Sequence, residues 1–350
     1  MKRLRSLRAI AMLVLALPAT AQERARLSVG TATAAQGETA KGWIEVPAGV
    51  DPALRIPVSV VHGAKPGPVL AVVAGSHGTE YASILALVDL MGVLDPRAIA
   101  GSVVIVPLIN TGSFDRIVPH LNPVDGKNMN RTYPGRAEGT QSERASLAIT
   151  REVVEKSDHL IDFHGGDLDE SLRPYTYWSK LGREPQDRIS REMALAFGLD
   201  HIIVTTGRPR DPNASVYLEN TASTRGKPSI TVEAGHAGTV MSEDTGALVR
   251  GTLSVMRYLK MLPGEPTPVE NPVWIGTLHN VASEAGGIFR PAVARGTYVQ
   301  KGMKVGAVTD FFGATVFEAR APEAGVILYI RAVPSAVKGD TLVSVGAVME

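Results

Sequence analysis

Four residues of this chain carry side chains suited to metal-assisted or acid–base chemistry, and each follows a short apolar run. His77 and Glu80 lie in the stretch Val69 to Ser83, VLAVVAGSHGTEYAS, His164 in Asp162-Phe163-His164-Gly165-Gly166, and Glu233 directly after Ser229 to Val232. A neutral imidazole on a loop and a carboxylate at a helix start can converge on one divalent metal. Taken alone, the pair also fits a capping interaction near a helix amino end. Two His and one carboxylate hold catalytic zinc with a fourth position left for water, whose pKa the metal lowers toward about 7. His77 and Glu80 would supply the close pair of ligands and a distant strand the third. Glu233, not needed as a ligand, could take the proton from that water and pass it to a leaving amine. Attack on an amide carbonyl leaves its oxygen anionic, and a guanidinium aimed there stabilises it. Arg116 and Arg131 both lie in the long segment Asn110 to Gly135. Arginine also grips a carboxylate bidentately, so one could polarise the carbonyl while the other, with Asn130, holds a substrate carboxylate.

Such groups need rigid elements behind them. The valine-rich run from Val69 to Ala74, bounded by glycine, reads as a buried strand of a parallel sheet. Its polar residues then sit at the carboxyl end, where ligands bind in open α/β sheets. Thr79 is expected to cap a helix carrying Ala82, Leu85, Leu87 and Leu90. Asp95-Pro96 breaks that helix and Ser102 to Ile109 forms the next strand, completing a βαβ unit. A helix is expected from Ser142, with Ala145, Ile149 and Val153 on one face, and strands at 159–164, 175–178, 201–205 and 229–232. Pro263 to Pro268 reads as a linker. Beyond it, short strands alternate with Gly-containing turns, the pattern of a small barrel or sandwich. Val299-Gln300-Lys301-Gly302 and Ala321-Pro322 resemble the biotinyl/lipoyl-type barrel-sandwich pattern, but Phe312-Gly313-Ala314 occupies the turn that would carry a modified lysine, so no prosthetic group is inferred.

The 350 residues hold 36 basic and 35 acidic side chains, a net charge of +1, which excludes a global field directed at nucleic acid or an anionic membrane. Lys2, Arg3, Arg5 and Arg8 precede the apolar run Ala9 to Leu17, and Ala19-Thr20-Ala21 supplies a small-residue cleavage site. Residues 1–21 therefore read as a secretory signal peptide, its apolar run too short to span a bilayer. The mature chain is expected to start near Gln22, periplasmic or secreted and free of the membrane after cleavage. Without any cysteine, neither a disulfide framework nor a thiolate site is available. Assembly into a homo-oligomer is left open.

Ser76-His77-Gly78-Thr79-Glu80, Asn130-Arg131 before Tyr133-Pro134-Gly135, Asp162-Phe163-His164-Gly165-Gly166 and Val232-Glu233-Ala234-Gly235, in this order, resemble the succinylglutamate desuccinylase/aspartoacylase family of the zinc carboxypeptidase clan. The resemblance spans about residues 55–345. It implies an α/β fold, a zinc-carboxypeptidase-like mixed sheet with helices on both faces, plus a small C-terminal all-β, barrel-sandwich-like domain. The catalytic domain would run over residues 22–262 and the β domain over 268–350, covering the active site. It further implies a zinc hydrolase of N-acyl amino acids or related amides, one Zn2+ per chain held by His77, Glu80 and His164, with Glu233 as general base. Asn130 and Arg131 would bind the substrate carboxylate, and Arg116 would match the carbonyl-polarising arginine by approximate position. The export signal departs from cytosolic, amino-acid-catabolic members.

Asp162 is read either as orienting a ligand histidine or as capping a turn. His236, Arg173, Arg208 and Arg210 fall in loops at the same edge, where a pocket role competes with plain solvation. Tyr133 and Tyr175 are pocket walls or core, and His62, His120, His159, His201 and His279 are assigned to surface or packing. The rival enzymatic reading is a metallocarboxypeptidase or murein-peptide amidase acting on short peptides. A catalytically idle binding protein would have no need of Glu233.

Overall fold

The computed structural model describes residues 25–349; the expected signal peptide lies outside them. Strand Lys65–Val73 runs through the centre of the molecule. Along it Val69, Ala71 and Val73 enter one core, and Leu70, Val72 and Ala74 the other, because successive side chains point to opposite faces. A strand apolar on both faces requires helices on both sides. Tyr81–Val93, Gln186–Phe197 and Ser242–Tyr258 cover one face through Leu87, Leu90, Met193, Phe197, Leu248 and Val255. Gln141–Ile149 and Leu218–Thr224 cover the other with Ala145, Ile149, Leu218 and Ala222.

Parallel pairing brings the chemically equipped strand ends to one edge. Lys65–Val73 lies between Ala100–Val106 and His159–His164, with Val73 opposite Asp162. Next comes Ser229–Glu233, parallel to His159–His164, with Glu233 directly opposite His164. Gly165 fixes that approach: at φ +145°, its missing Cβ would stand 2.1 Å from the Ala234 carbonyl oxygen. Tyr175–Ser179 then pairs antiparallel to Ser229–Glu233 and parallel to His201–Thr205.

The C-terminal strands divide between two sheets, one of them the central sheet itself. Val273–Ala282 adds in parallel to His201–Thr205 and is followed by Thr341–Val348 and Gly325–Arg331, so the central sheet continues through them as one 13-stranded sheet. A further four-stranded sheet, containing Gly287–Pro291, Lys304–Thr309 and Thr315–Arg320, closes a third core around Phe289, Val308 and Leu342. Short Glu170–Leu172 pairs with Gly325–Arg331 and stitches the active edge to these strands.

Thr79 does not cap the helix. Its hydroxyl donates to Asp167 at 2.5 Å, and Tyr81–Val93 begins after Glu80 without any side-chain cap. A missing cap costs about 1 kcal/mol, whereas fully burying Leu87 and Leu90 contributes about 1.5–3 kcal/mol each. Packing outweighs the cap. The segment 110–135, expected to be irregular, contains the short helix Thr111–Arg116 and a 3-10 turn at Met129–Arg131.

Candidate active site

The turn after strand Lys65–Val73 is tight because Gly75 adopts φ +71°, where a Cβ would meet Leu108. It delivers His77 opposite Glu80, and His164 arrives at the end of its own strand. His77 Nδ1 lies 2.7 Å from Glu80 Oε1, and His164 Nδ1 lies 3.0 Å from Glu80 Oε2. The three side chains are buried, and one donor atom from each falls within 4.8 Å of the others. Burial works against the Glu80 carboxylate, but His164 and His77 overcome it and hold its pKa far below the usual range. His164 shows the counterpart: burial disfavours its charged form, yet Glu80 and Asp162 raise its pKa well above the ordinary value.

This set fits a divalent ion. Asn128 Oδ1 stands 3.1 Å from His77 Nε2, within hydrogen-bond distance of the ring nitrogen turned away from Glu80. Two imidazole nitrogens and a carboxylate thus face one point, His77 Nδ1 and His164 Nδ1 each against one Glu80 oxygen. Imidazole and carboxylate donors without thiolate are the ligand types of catalytic zinc. Asn130 supports the second imidazole: its Oδ1 accepts the Leu218 N–H at 3.0 Å, which turns Nδ2 toward His164 Nε2 at 2.9 Å. Asp162 Oδ2 lies 3.4 Å from the same Nε2, in the position of a group that orients a ligand ring.

His77, Glu80 and His164 open onto a cavity of about 600 Å3 that Glu233, Asn130 and Arg131 also line. Burial, together with Glu80, Glu170 and Asp162, pushes the Glu233 carboxyl well above the usual range against the pull of His164. Arg131 and Arg208 both lie over the Tyr217 ring, their guanidinium carbons 4.6 Å and 3.9 Å from its centre. Arg208 Nε is buried without a hydrogen-bond partner, so a planar anion would find guanidinium donors beside this tyrosine. Leu278, Asn280, Leu328, Tyr329, Thr341 and Ser344 line the same cavity from the C-terminal strands.

The sequence model of the succinylglutamate desuccinylase/aspartoacylase catalytic domain matches residues 66–259, more than half of the chain. The chain belongs to this family. A relative from Halomonas elongata, N-alpha-acetyl-L-2,4-diaminobutyric acid deacetylase, is 30% identical over 319 residues, covering 88% of this chain and 92% of the relative. Among solved structures, the product-bound ectoine utilization protein EutE (DoeB) from Ruegeria pomeroyi superposes with a TM-score of 0.80 at 24% identity, over 88% of this chain and 95% of that one. A succinylglutamate desuccinylase/aspartoacylase from Rhodobacter sphaeroides gives 0.79 at 23% identity, over 89% and 96%. The family fold therefore extends through the C-terminal strands.

Within this family frame, six of the seven site residues read from the sequence line one cavity, and Arg116 does not. The residues before it coil into the helix Thr111–Arg116, leaving Arg116 exposed on the surface. Arg131 and Arg208 are the guanidinium groups that line the cavity. Asn130 lines it too, but its amide is engaged by Leu218 and His164, a positioning geometry rather than an open carboxylate grip. Arg173 pairs with Asp200 at 2.5 Å, Arg210 is exposed, Tyr133 is buried in the core and Tyr175 lines the cavity. His236 forms bridges to Ser171 and Thr239. His120, assigned to surface or packing, instead stands 6.1 Å from the His77 ring, held by Asp167 and Asp169. Its pKa is raised to about 9 because these acids outweigh its burial. Asn128, Glu170, Tyr217 and Glu219 were not singled out from the sequence. Asn128 lay two residues before the Asn-Arg pair, whereas no local pattern marks Tyr217 or Glu219.

Proposed function

We propose that this chain is a zinc-dependent hydrolase that cleaves the amide bond of an N-acyl amino acid, exported to the periplasm after loss of residues 1–21. The observation that carries the reading is the convergence of His77, Glu80 and His164 on one point beside Glu233, at the wall of a cavity partly formed by C-terminal strands. His77, Glu80 and His164 would hold the zinc, which when bound would supply Lewis-acid activation of a water molecule and of the scissile carbonyl. Glu233 takes a proton from the attacking water and returns it to the departing amine nitrogen, a role suited to a carboxyl whose pKa burial has raised. Arg131 and Arg208, both stacked on Tyr217, hold the substrate carboxylate, and Asn130 keeps His164 and helix Leu218–Thr224 in register. The deacetylase relative supports an acylated amino acid as substrate.

A hydrolysis panel of N-acyl amino acids and short murein peptides, run with and without a chelator, tests the reading. Acyl amino acids should be cleaved and the chelator should abolish turnover. Activity that survives both metal removal and Glu233→Gln would overturn the mechanism, and turnover of peptides alone would favour the amidase alternative. Mass measurement of the protein from the periplasmic fraction tests export, with an N-terminus at Gln22 expected.

A further inference from the structure

The cavity does not end at Glu233. Register places Glu233 opposite Tyr175 and Thr231 opposite Tyr177, and residues two apart on a strand share a face. Glu233, Thr231 and Ser229 therefore descend one strand, and Tyr175, Tyr177 and Ser179 the next. Thr231, Tyr175 and Tyr177 line the cavity along with Glu233. From Glu233 to Ser229 is roughly 13 Å of strand at about 3.3 Å per residue.

Glu219 stands at that far end. It sits in the first turn of helix Leu218–Thr224, beside the Leu218 amide that Asn130 holds. Its Oε2 accepts from Ser179 Oγ at 2.8 Å and its Oε1 from Ser229 Oγ at 3.1 Å. The residue is only 3% exposed, yet it lines the same cavity as Arg131 and Glu233. Two hydroxyls orient the carboxylate, and no ion pair joins it to any described residue. Burial raises its pKa, with Ser179 and Arg208 pulling the other way. A buried carboxylate that makes no ion pair, with Arg208 acting on it only from a distance, is costly and is a candidate for pairing with a charge that arrives with a ligand.

We propose that Glu219 is the specificity-determining residue of this cavity and takes the cationic side-chain end of an acyl amino acid whose carboxylate lies at Arg131 and Arg208. The inference rests on the hydrolase reading above and extends it to a substrate class: Nα-acyl amino acids with an ammonium or guanidinium side chain. Glu219 touches substrate but takes no part in bond breaking. Its carboxylate faces a group several bonds from the scissile amide, so it acts on the choice of substrate.

The test uses the zinc-loaded mature chain and compares kcat/KM for the Nα-acetyl derivatives of 2,4-diaminobutyrate, ornithine and arginine with those of norvaline, which is uncharged, and aspartate, which is acidic. A hydrogen bond to a charged group implies that the best cationic substrate exceeds norvaline by about 10- to 100-fold. Glu219→Gln keeps the size of the side chain and should bring that ratio close to unity. Calorimetry of free 2,4-diaminobutyrate against norvaline should show the same preference in the wild-type chain and its loss in the variant. Should Glu219→Gln fail to fold, the wild-type rates and calorimetry still decide. Equal or better turnover of norvaline or aspartate by the wild type, or an unchanged ratio in Glu219→Gln, overturns the assignment while leaving the hydrolase reading intact. Failure to cleave any acyl amino acid overturns the hydrolase reading instead, and calorimetry then judges Glu219 separately.

Discussion

Glu80 holds one imidazole on each carboxylate oxygen, at 2.7 and 3.0 Å, while Glu233 approaches the same pair from the next strand with no histidine bonded to it. That difference separates the roles of the two acids and gives a contrast to measure. Glu233→Gln should leave zinc content unchanged and lower turnover by about 10²- to 10⁴-fold, the usual contribution of a positioned acid–base group. His164→Ala removes a donor atom and should instead lose the metal, as read by elemental analysis of the purified protein. Zinc retained at full occupancy in that variant would remove His164 from the ligand set. Asn128 and Asn130 show how much support two rings need: one amide stands against His77, and the other spans His164 and a helix start.

Helix Gln141–Ile149 illustrates how an element distant from the chemistry holds it in place. Glu143 closes a capping box with Thr140 and also pairs with Arg136 and Lys127. Two turns of contact, Thr132 to Ser146 at 2.7 Å and Asn122 to Ser142 at 3.1 Å, tie the segment around Asn130 and Arg131 to this helix. Burial opposes the Glu143 charge, but the Thr140 amide, Arg136 and Lys127 lower its pKa from 4.5 to about 2. A depressed carboxylate contributes stability that is fully present above its unfolded value and lost as pH falls through the folded one. Glu143→Gln should therefore cost about 1 kcal/mol at neutral pH, in the range of other caps. The loss should shrink between pH 4.5 and about 2, where thermal unfolding of the two proteins should converge. A constant difference across that window would rule out the ionised cap as its source.

At the scale of the molecule, the C-terminal strands are part of the catalytic sheet. Val273–Ala282 protects His201–Thr205 from becoming an open edge. Arg295 donates to the carbonyls of Leu172 and Gly235, and Arg331 bridges Asp169 and Asp340. A chain ending at residue 262 would expose that strand edge, an invitation to aggregation, and remove the cavity wall built from Leu278, Leu328 and Ser344. We expect it to be insoluble or oligomeric by size-exclusion chromatography and inactive. A monomeric truncation with full turnover would refute the structural dependence.

What the sequence determined by itself was local. An apolar run ending in glycine and a polar residue specifies a buried strand and the edge at which its last side chain stands, because both follow from period and turn chemistry. His77, Glu80, His164 and Glu233 were therefore legible, as was the layered α/β fold. Thr79 was misread as a cap because its competitor, Asp167, lies 88 residues away. Arg116 was misread because a position in a loop says nothing about where a helix inside that loop directs the chain. Only the tertiary structure decided that Glu219, Arg208 and Tyr217 face the ligand cavity, that Asn130 spends its amide on the protein, and that the sheet continues past residue 272. Each of these depends on pairing between segments far apart in the chain, and no short window of residues records which strand will lie beside which.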